Sequence, residues 1–197
     1  MANLADRVND DRGRRRRDAM VAAGVALLAE GGWAALTARA IARRSGANTG
    51  LIHYHFGGLP GLRREVARSA AQEVVAPFVG ALVGGDDPAA VLDRLAELIP
   101  AAAADETAVR LMVELIAGAG RDPELCRALR GDLREARARL AERIARLRPD
   151  WPAGRCQGAA VLAAAQIDGL VLHAVLDPDL PVEEAAETLR ALLPRRR

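Results

Sequence analysis

Helix start and stop signals punctuate this 197-residue chain from end to end, and the segments between them carry helical spacing. Val21, Val25 and Leu28 recur at helical intervals behind a cluster of arginines, and Gly31-Gly32 stops that run, so a first helix is expected over about 14–31. Thr37 can N-cap a short second helix that carries Ile41 inward and ends at Gly46, where a left-handed residue is needed. Asn48 caps a third through Phe56. Pro60 opens a fourth that runs to about Val83, before Gly84-Gly85. Asp87-Pro88 and Asp122-Pro123 each set a capping Asp before a proline at the first helical position. Between them Val109, Met112 and Ile116 form one apolar face of a helix over about 105–119. Leu125, Leu129, Leu133, Ala136, Leu140, Ile144 and Leu147 line one amphipathic helix up to Arg148, which Pro149-Asp150-Trp151-Pro152 terminates. A nearly uncharged helix follows over 153–176, and Asp177-Pro178-Asp179 turns into a last one from Pro181 to Leu193. Nine helices are predicted, with no repeat and no Ser-rich linker.

Composition agrees. Aromatics are 3% of the chain while Ala, Leu and Arg dominate, so the fold class is all-α. Apolar residues at 51% supply a core, and every apolar run meets a charge or a Gly/Pro break before the ~18 residues of a membrane span, so a soluble cytoplasmic protein without a membrane partner is expected. A twin-arginine or secretory leader is imitated by Arg14-Arg15-Arg16-Arg17 before apolar 19–29, but Asp6, Asp10, Asp11 and Asp18 argue against it. Cys126 and Cys156 have no disulfide-framework or zinc spacing. The net charge of +2 hides an asymmetry: residues 1–70 hold 12 Arg against 6 acids, and residues 71–197 hold 16 against 20. A polyanion would therefore meet the first third of the chain.

Two short helices joined by Ser45-Gly46-Ala47 have the pattern of a helix-turn-helix. In Thr37-Ala38-Arg39-Ala40-Ile41-Ala42 and in Asn48-Thr49-Gly50-Leu51-Ile52-His53-Tyr54-His55-Phe56 the sequence resembles the DNA-binding domain of the TetR family of bacterial transcriptional regulators, over about 14–70. Gln166-Ile167-Asp168-Gly169-Leu170 and Asp177-Pro178-Asp179-Leu180-Pro181 are similar to the C-terminal domain of the choline-pathway regulators of that family. The resemblance implies a DNA-binding domain over 1–60 and a helical regulatory and dimerisation domain over 61–197. It also implies a repressor role on a palindromic operator, exerted as a homodimer and relieved by a small-molecule inducer. The chain departs from the family at His53, where Tyr is usual, and at Leu59, where a phosphate-binding Lys is usual; Arg63 or Arg64 would have to replace that anchor.

The third helix is short enough to enter a ~12 Å major groove. The resemblance puts Arg39 toward that groove, where Arg can bond guanine O6 and N7 together. Asn48 and Thr49 can bond phosphate or base while capping, and Gly50 admits close backbone approach; Thr37 belongs to the same surface. Leu51 offers only apolar contact, His53 and Tyr54 carry polar tips suited to phosphate oxygens, His55 on the same helix reads rather as a structural hydrogen-bonder, and Ile52 and Phe56 face inward. Arg14, Arg15, Arg16 and Arg17 read as a basic arm that positions without specifying, although a terminal Arg run is more commonly a solvated tail. His53 and His55 lack a third ligand, so no metal is expected. The Arg-rich face of 127–148 reads as a solvated surface, with Glu135 to Arg139 and Glu142 to Arg146 as i,i+4 pairs.

Toward the C-terminus, Gly158, Leu162, Ala165, Gly169, Leu172 and Leu176, with Val182, Ala185, Leu189 and Leu192, outline a face for a four-helix dimer interface. Phe78, Met112, Leu115 and Ile116 are candidate walls for a largely apolar inducer, and Gln166 and His173 candidate polar groups; plain core and a dimer-interface hydrogen bond are the competing readings. No cofactor is expected, and no catalytic residue, since Cys126, Cys156 and His173 lack an activating setting and no phosphate loop occurs. A helical small-molecule or lipid-binding protein without DNA function is the alternative, and it leaves the basic helix-turn-helix idle.

Overall fold

The computed structural model describes residues 4–84 and 88–192, with the backbone alone for 4–10, 88 and 89. The expected break at Gly85, the cap at Asp87 and the end at Leu193 lie outside the described residues. Among those described, nine helices and no strand are found: α1 (Leu4–Ala35), α2 (Ala38–Ser45), α3 (Thr49–Phe56), α4 (Leu59–Gly84), α5 (Pro88–Ala104), α6 (Glu106–Arg121), α7 (Pro123–Leu147), α8 (Ala153–Leu176) and α9 (Val182–Leu192).

Most boundaries follow from local capping. Thr37 Oγ1 accepts from Ala40 N at 3.2 Å, Asn48 Oδ1 from Leu51 N at 3.0 Å and Asp122 Oδ1 from Glu124 N at 2.8 Å. Each satisfies an amide that the first helical turn leaves without a partner. Gly46 and Gly57 close α2 and α3 at φ 67 and φ 69. The exception is α1, which starts ten residues before the expected position. Arg, Ala and Leu are strong helix formers and no proline intervenes. The arginine cluster therefore sits inside a helix, where Arg14 pairs with Asp11 one turn earlier, and is not an extended arm. Gly31 and Gly32 do leave helical geometry, at φ −145, ψ 16 and φ 65, ψ −168.

The chain divides into two compact units, 1–72 with 110–129 and 73–109 with 130–197. In the first, α1 packs on α2 and α2 on α3 around Met20, Leu28, Leu36, Ile41, Ile52, Leu62 and Val66, all buried to 1% exposure or less. Gly24 lets α4 approach α1 closely: a Cβ there would lie 2.3 Å from Val66 Cγ2. On α6 the buried face is Leu111, Leu115 and Gly118, and Ile116 is 69% exposed, contrary to the expected Val109, Met112 and Ile116 face. The reason is Gly118, whose missing side chain admits the Trp33 ring and draws that side of α6 inward. In the second unit α5 packs on α8 and α9, and Leu140, Ala141 and Ala160 gather Leu82, Ile144 and Ala163 around them.

By length and composition two helices, α4 and α8, are apolar enough to cross a membrane, where none was expected. A lone charge such as Asp168 interrupts an apolar run without making the helix as a whole polar. Little of this apolar part of α8 is buried within the protein, which leaves an apolar helix face without a cover in one chain.

Candidate nucleic-acid interface

The α2–Gly46–α3 unit presents α3 as a short, outward helix. Ile52 is 1% exposed and anchors it, while Thr49, Gly50, His53 and Tyr54 face solvent, Tyr54 at 81%. Leu51, His55 and Phe56 are half-buried, and the Tyr54 ring stands edge-on to His55 at 4.9 Å. Arg39 and Thr37 are exposed on the α2 side, with the Thr37 hydroxyl engaged as the cap. Several groups hold α2 in place. Arg44 donates to both Glu30 carboxylate oxygens, at 2.6 and 2.7 Å, and Ser45 Oγ donates to the Ile41 carbonyl at 2.8 Å. The Arg44 hydrogen bonds hold the Glu30 carboxyl below its ordinary range and raise Arg44 in turn.

The arginine cluster is divided by the turn of α1. Arg14, Arg15 and Arg16 are exposed. Arg17 turns into the fold, pairing with Glu65 at 2.7 Å and lying 5.2 Å from the Phe56 ring centre. Arg15 and Arg16 join Arg12, Ala19, Ser45, Gly46, Ala47, Asn48 and Leu51 around an open cleft of about 530 Å³. Sequence reading missed Arg12 because it placed the helix start at residue 14. The i,i+3 and i,i+4 spacing from Arg12 to Arg15 and Arg16 was the available signal. Neither suggested substitute for the missing lysine at Leu59 is uncommitted: Arg63 donates to the Trp33 and Leu36 carbonyls at 3.3 and 3.0 Å, and Arg64 pairs with Glu124 at 2.9 Å.

Two family models match this chain. Residues 20–70 match the bacterial regulatory proteins of the tetR family, and residues 88–196 match the C-terminal domain of BetI-type transcriptional repressors. The chain belongs to the TetR family. It is accordingly a DNA-binding transcriptional regulator and not an enzyme, with the all-α fold of its family. Among solved structures, a proposed transcriptional regulator from Streptomyces coelicolor A3(2) is 26% identical at a TM-score of 0.69, covering 90% of this chain and 97% of its own. A TetR-family member from Streptomyces coelicolor A3 is 28% identical at 0.59, with coverage of 91% and 99%. The multidrug binding protein EbrR, solved with imidazole, is 26% identical at 0.66, with coverage of 93% and 94%. Comparison with the curated proteins finds no match.

The remaining candidates of this TetR-family chain fall as follows. On α8, Gly158, Leu162, Ala165, Gln166, Leu172, His173 and Leu176 are exposed and Gly169 half-buried. On α9, Ala185 and Leu192 are exposed and Leu189 half-buried, but Val182 is buried within the chain, only 6% exposed. Phe78 and Leu115 are buried, each 8% exposed, Met112 is half-buried and Ile116 faces solvent. Trp151, between α7 and α8, has the guanidinium carbons of Arg148 and Arg155 4.4 and 4.3 Å from its ring centre.

Proposed function

We propose that this regulator is a cytoplasmic homodimer that binds a palindromic operator, represses transcription from it and is released by a small, largely apolar inducer. The observation that carries this reading is the exposed, doubly capped α3 beside exposed Arg39 and the basic face of Arg12, Arg15 and Arg16. Together α3 and the helices beside it offer base edges Thr49, Gly50 and Leu51 of α3 with Arg39 of α2, and offer phosphates His53 and Tyr54 of α3, its cap Asn48 and the α1 arginines. In this reading residues 1–60 form the DNA-binding domain and 61–197 the regulatory and dimerisation domain.

Support for the dimer comes from α8 and α9, where Leu162, Leu172, Leu176 and Leu192 are 50–76% exposed in one chain, a cost that a twofold partner would remove. Two reading heads about 34 Å apart would then meet successive major grooves. Repression is supported by the match of 88–196 to a repressor's C-terminal domain. Inducer release is supported by the similarity to EbrR, whose name says that it binds multiple drugs. For the inducer, Phe78 is the apolar candidate of the second unit, with Gln166 and His173 open to either a ligand or the second protomer, and Met112 and Leu115 are candidates of the first.

A gel shift with the DNA upstream of the protein's own gene, repeated with Arg39→Ala and across salt, tests the reading. Binding should weaken steeply with salt, and Arg39→Ala should cost about 1–3 kcal/mol on the operator while sparing unrelated DNA. Equal loss on every sequence would refute Arg39 as a base reader.

A further inference from the structure

The segment that leads from α1 into the helix-turn-helix is gripped by groups that the proposed DNA surface does not use. Where Gly31 and Gly32 leave helical geometry, the Trp33 amide turns away from the α1 ladder. That amide donates to Glu114 Oε2 at 3.2 Å, and the Trp33 indole Nε1–H donates to the Glu114 main-chain carbonyl at 2.6 Å. One residue of α6 thus accepts both donors of one tryptophan. From α4, Arg63 donates to the carbonyls of Trp33 and Leu36. Leu36 is fully buried, and the next residue, Thr37, is the N-cap of α2.

Two glycines set how close this grip can be. A Cβ at Gly32 would lie 2.7 Å from Glu114 Oε1, and Gly32 also holds the positive φ of 65 that disfavours a side chain; a Cβ at Gly118 would lie 2.6 Å from Trp33 Nε1. The backbone between the kink and Thr37 is therefore tied to both α4 and α6, and with it the point at which α2 begins. Base-edge hydrogen bonds fail when the reading helix is misplaced by a fraction of an ångström, so the anchor of α2 bears on discrimination without touching DNA.

The geometry points to Glu114 and Trp33 as positioning residues for sequence reading, a role that rests on the operator-binding reading above. The full-length wild-type chain is used to select duplexes from a random-sequence pool. Affinity for a selected duplex and for an unrelated duplex is then measured by fluorescence anisotropy across salt. Glu114→Ala should weaken the selected duplex about tenfold, the scale of one hydrogen bond to a charged acceptor, with unrelated binding and the salt slope unchanged because no phosphate contact is lost. Glu114→Gln keeps an acceptor oxygen and should restore most of that affinity. Trp33→Phe keeps a ring against Gly118 but deletes the indole donor, and should resemble Glu114→Ala.

Wild-type affinity for the selected duplex in both Glu114→Ala and Trp33→Phe overturns the proposal. So does a parallel loss on both duplexes, which is the mark of a general loss of folded protein. If Glu114→Ala does not fold, the comparison of Glu114→Gln with Trp33→Phe decides: equal affinities overturn the proposal. A wild-type chain that selects no duplex defeats the operator-binding reading itself, an outcome distinct from these.

Discussion

Gly24→Ala is the sharpest probe of how the DNA-binding unit is packed. Gly24 is buried in the middle of α1, and a methyl there would lie 2.3 Å from Val66 Cγ2 and 3.5 Å from Val66 Cβ and Cγ1. Carbon atoms rest at about 3.5–4.0 Å, so the overlap with Cγ2 exceeds about 1 Å. Val66 is fully buried, and a β-branched side chain in a helix has one strongly preferred rotamer, so it cannot swing aside. Alanine gains about 1 kcal/mol over glycine in helix propensity, whereas overpacking of this kind costs about 1–3 kcal/mol and displaces backbone. The clash wins, and the variant should be about 1 kcal/mol less stable. Val66→Ala alone should cost about 2 kcal/mol, from two methyl-sized groups at ~0.8 kcal/mol each plus a small cavity. The double variant relieves the overlap and part-fills the cavity, so it should sit near Val66→Ala, with a coupling of about 1–2 kcal/mol. Urea unfolding followed by far-UV circular dichroism, at one protein concentration for all four chains, measures each term. Costs that add to within about 0.5 kcal/mol, or a Gly24→Ala chain stabilised by its propensity alone, would refute the close α1–α4 packing.

Leu162→Glu and Leu172→Glu place a charge where α8 is 68% and 50% exposed in one chain. Both variants should keep the far-UV spectrum of a folded protomer and shift the light-scattering mass from dimer to monomer; a charged chain that stays dimeric would move the interface elsewhere. Partial burial raises the Asp168 carboxyl above the ordinary aspartate range, with Arg137 pulling it down less strongly. The folded chain therefore disfavours the charged form, and stability falls as pH rises from the ordinary aspartate value through the raised one. Asp168→Asn should accordingly be more stable than wild type at neutral pH and equal to it in acid, as read from urea midpoints at several pH values. An advantage that does not vary with pH would rule out ionisation as its source.

What could be read in advance tracks how local each interaction is. Thr37, Asn48 and Asp122 cap their helices through bonds that span two or three residues, and Gly46 ends α2 by its own backbone preference. Such signals lie within a short window of sequence, which is why the helix-turn-helix was legible. The start of α1 was misplaced because strong helix formers carried it past the arginine cluster without a cap, and Arg12 was lost with it. Arg17, Arg63 and Arg64 look alike in sequence to the exposed arginines. Their partners Glu65, Trp33, Leu36 and Glu124 lie 27 to 60 residues away, so nothing near them announced that they are engaged.

The face of α6 illustrates the other limit. Val109, Met112 and Ile116 are spaced as regularly as Leu111, Leu115 and Gly118, and a helix apolar on most sides does not say which side is covered. Trp33 made that choice, from 81 residues away, by donating to Glu114 and filling the space over Gly118. The order of amino acids was enough to establish the nine helices of the described residues, the turn at Gly46 and the family, because capping, propensity and periodicity act between near neighbours. Which arginines stay in solvent, which side of α6 is buried and where α2 is held were decided by folding alone, because each depends on a partner that only the assembled chain brings within bonding distance.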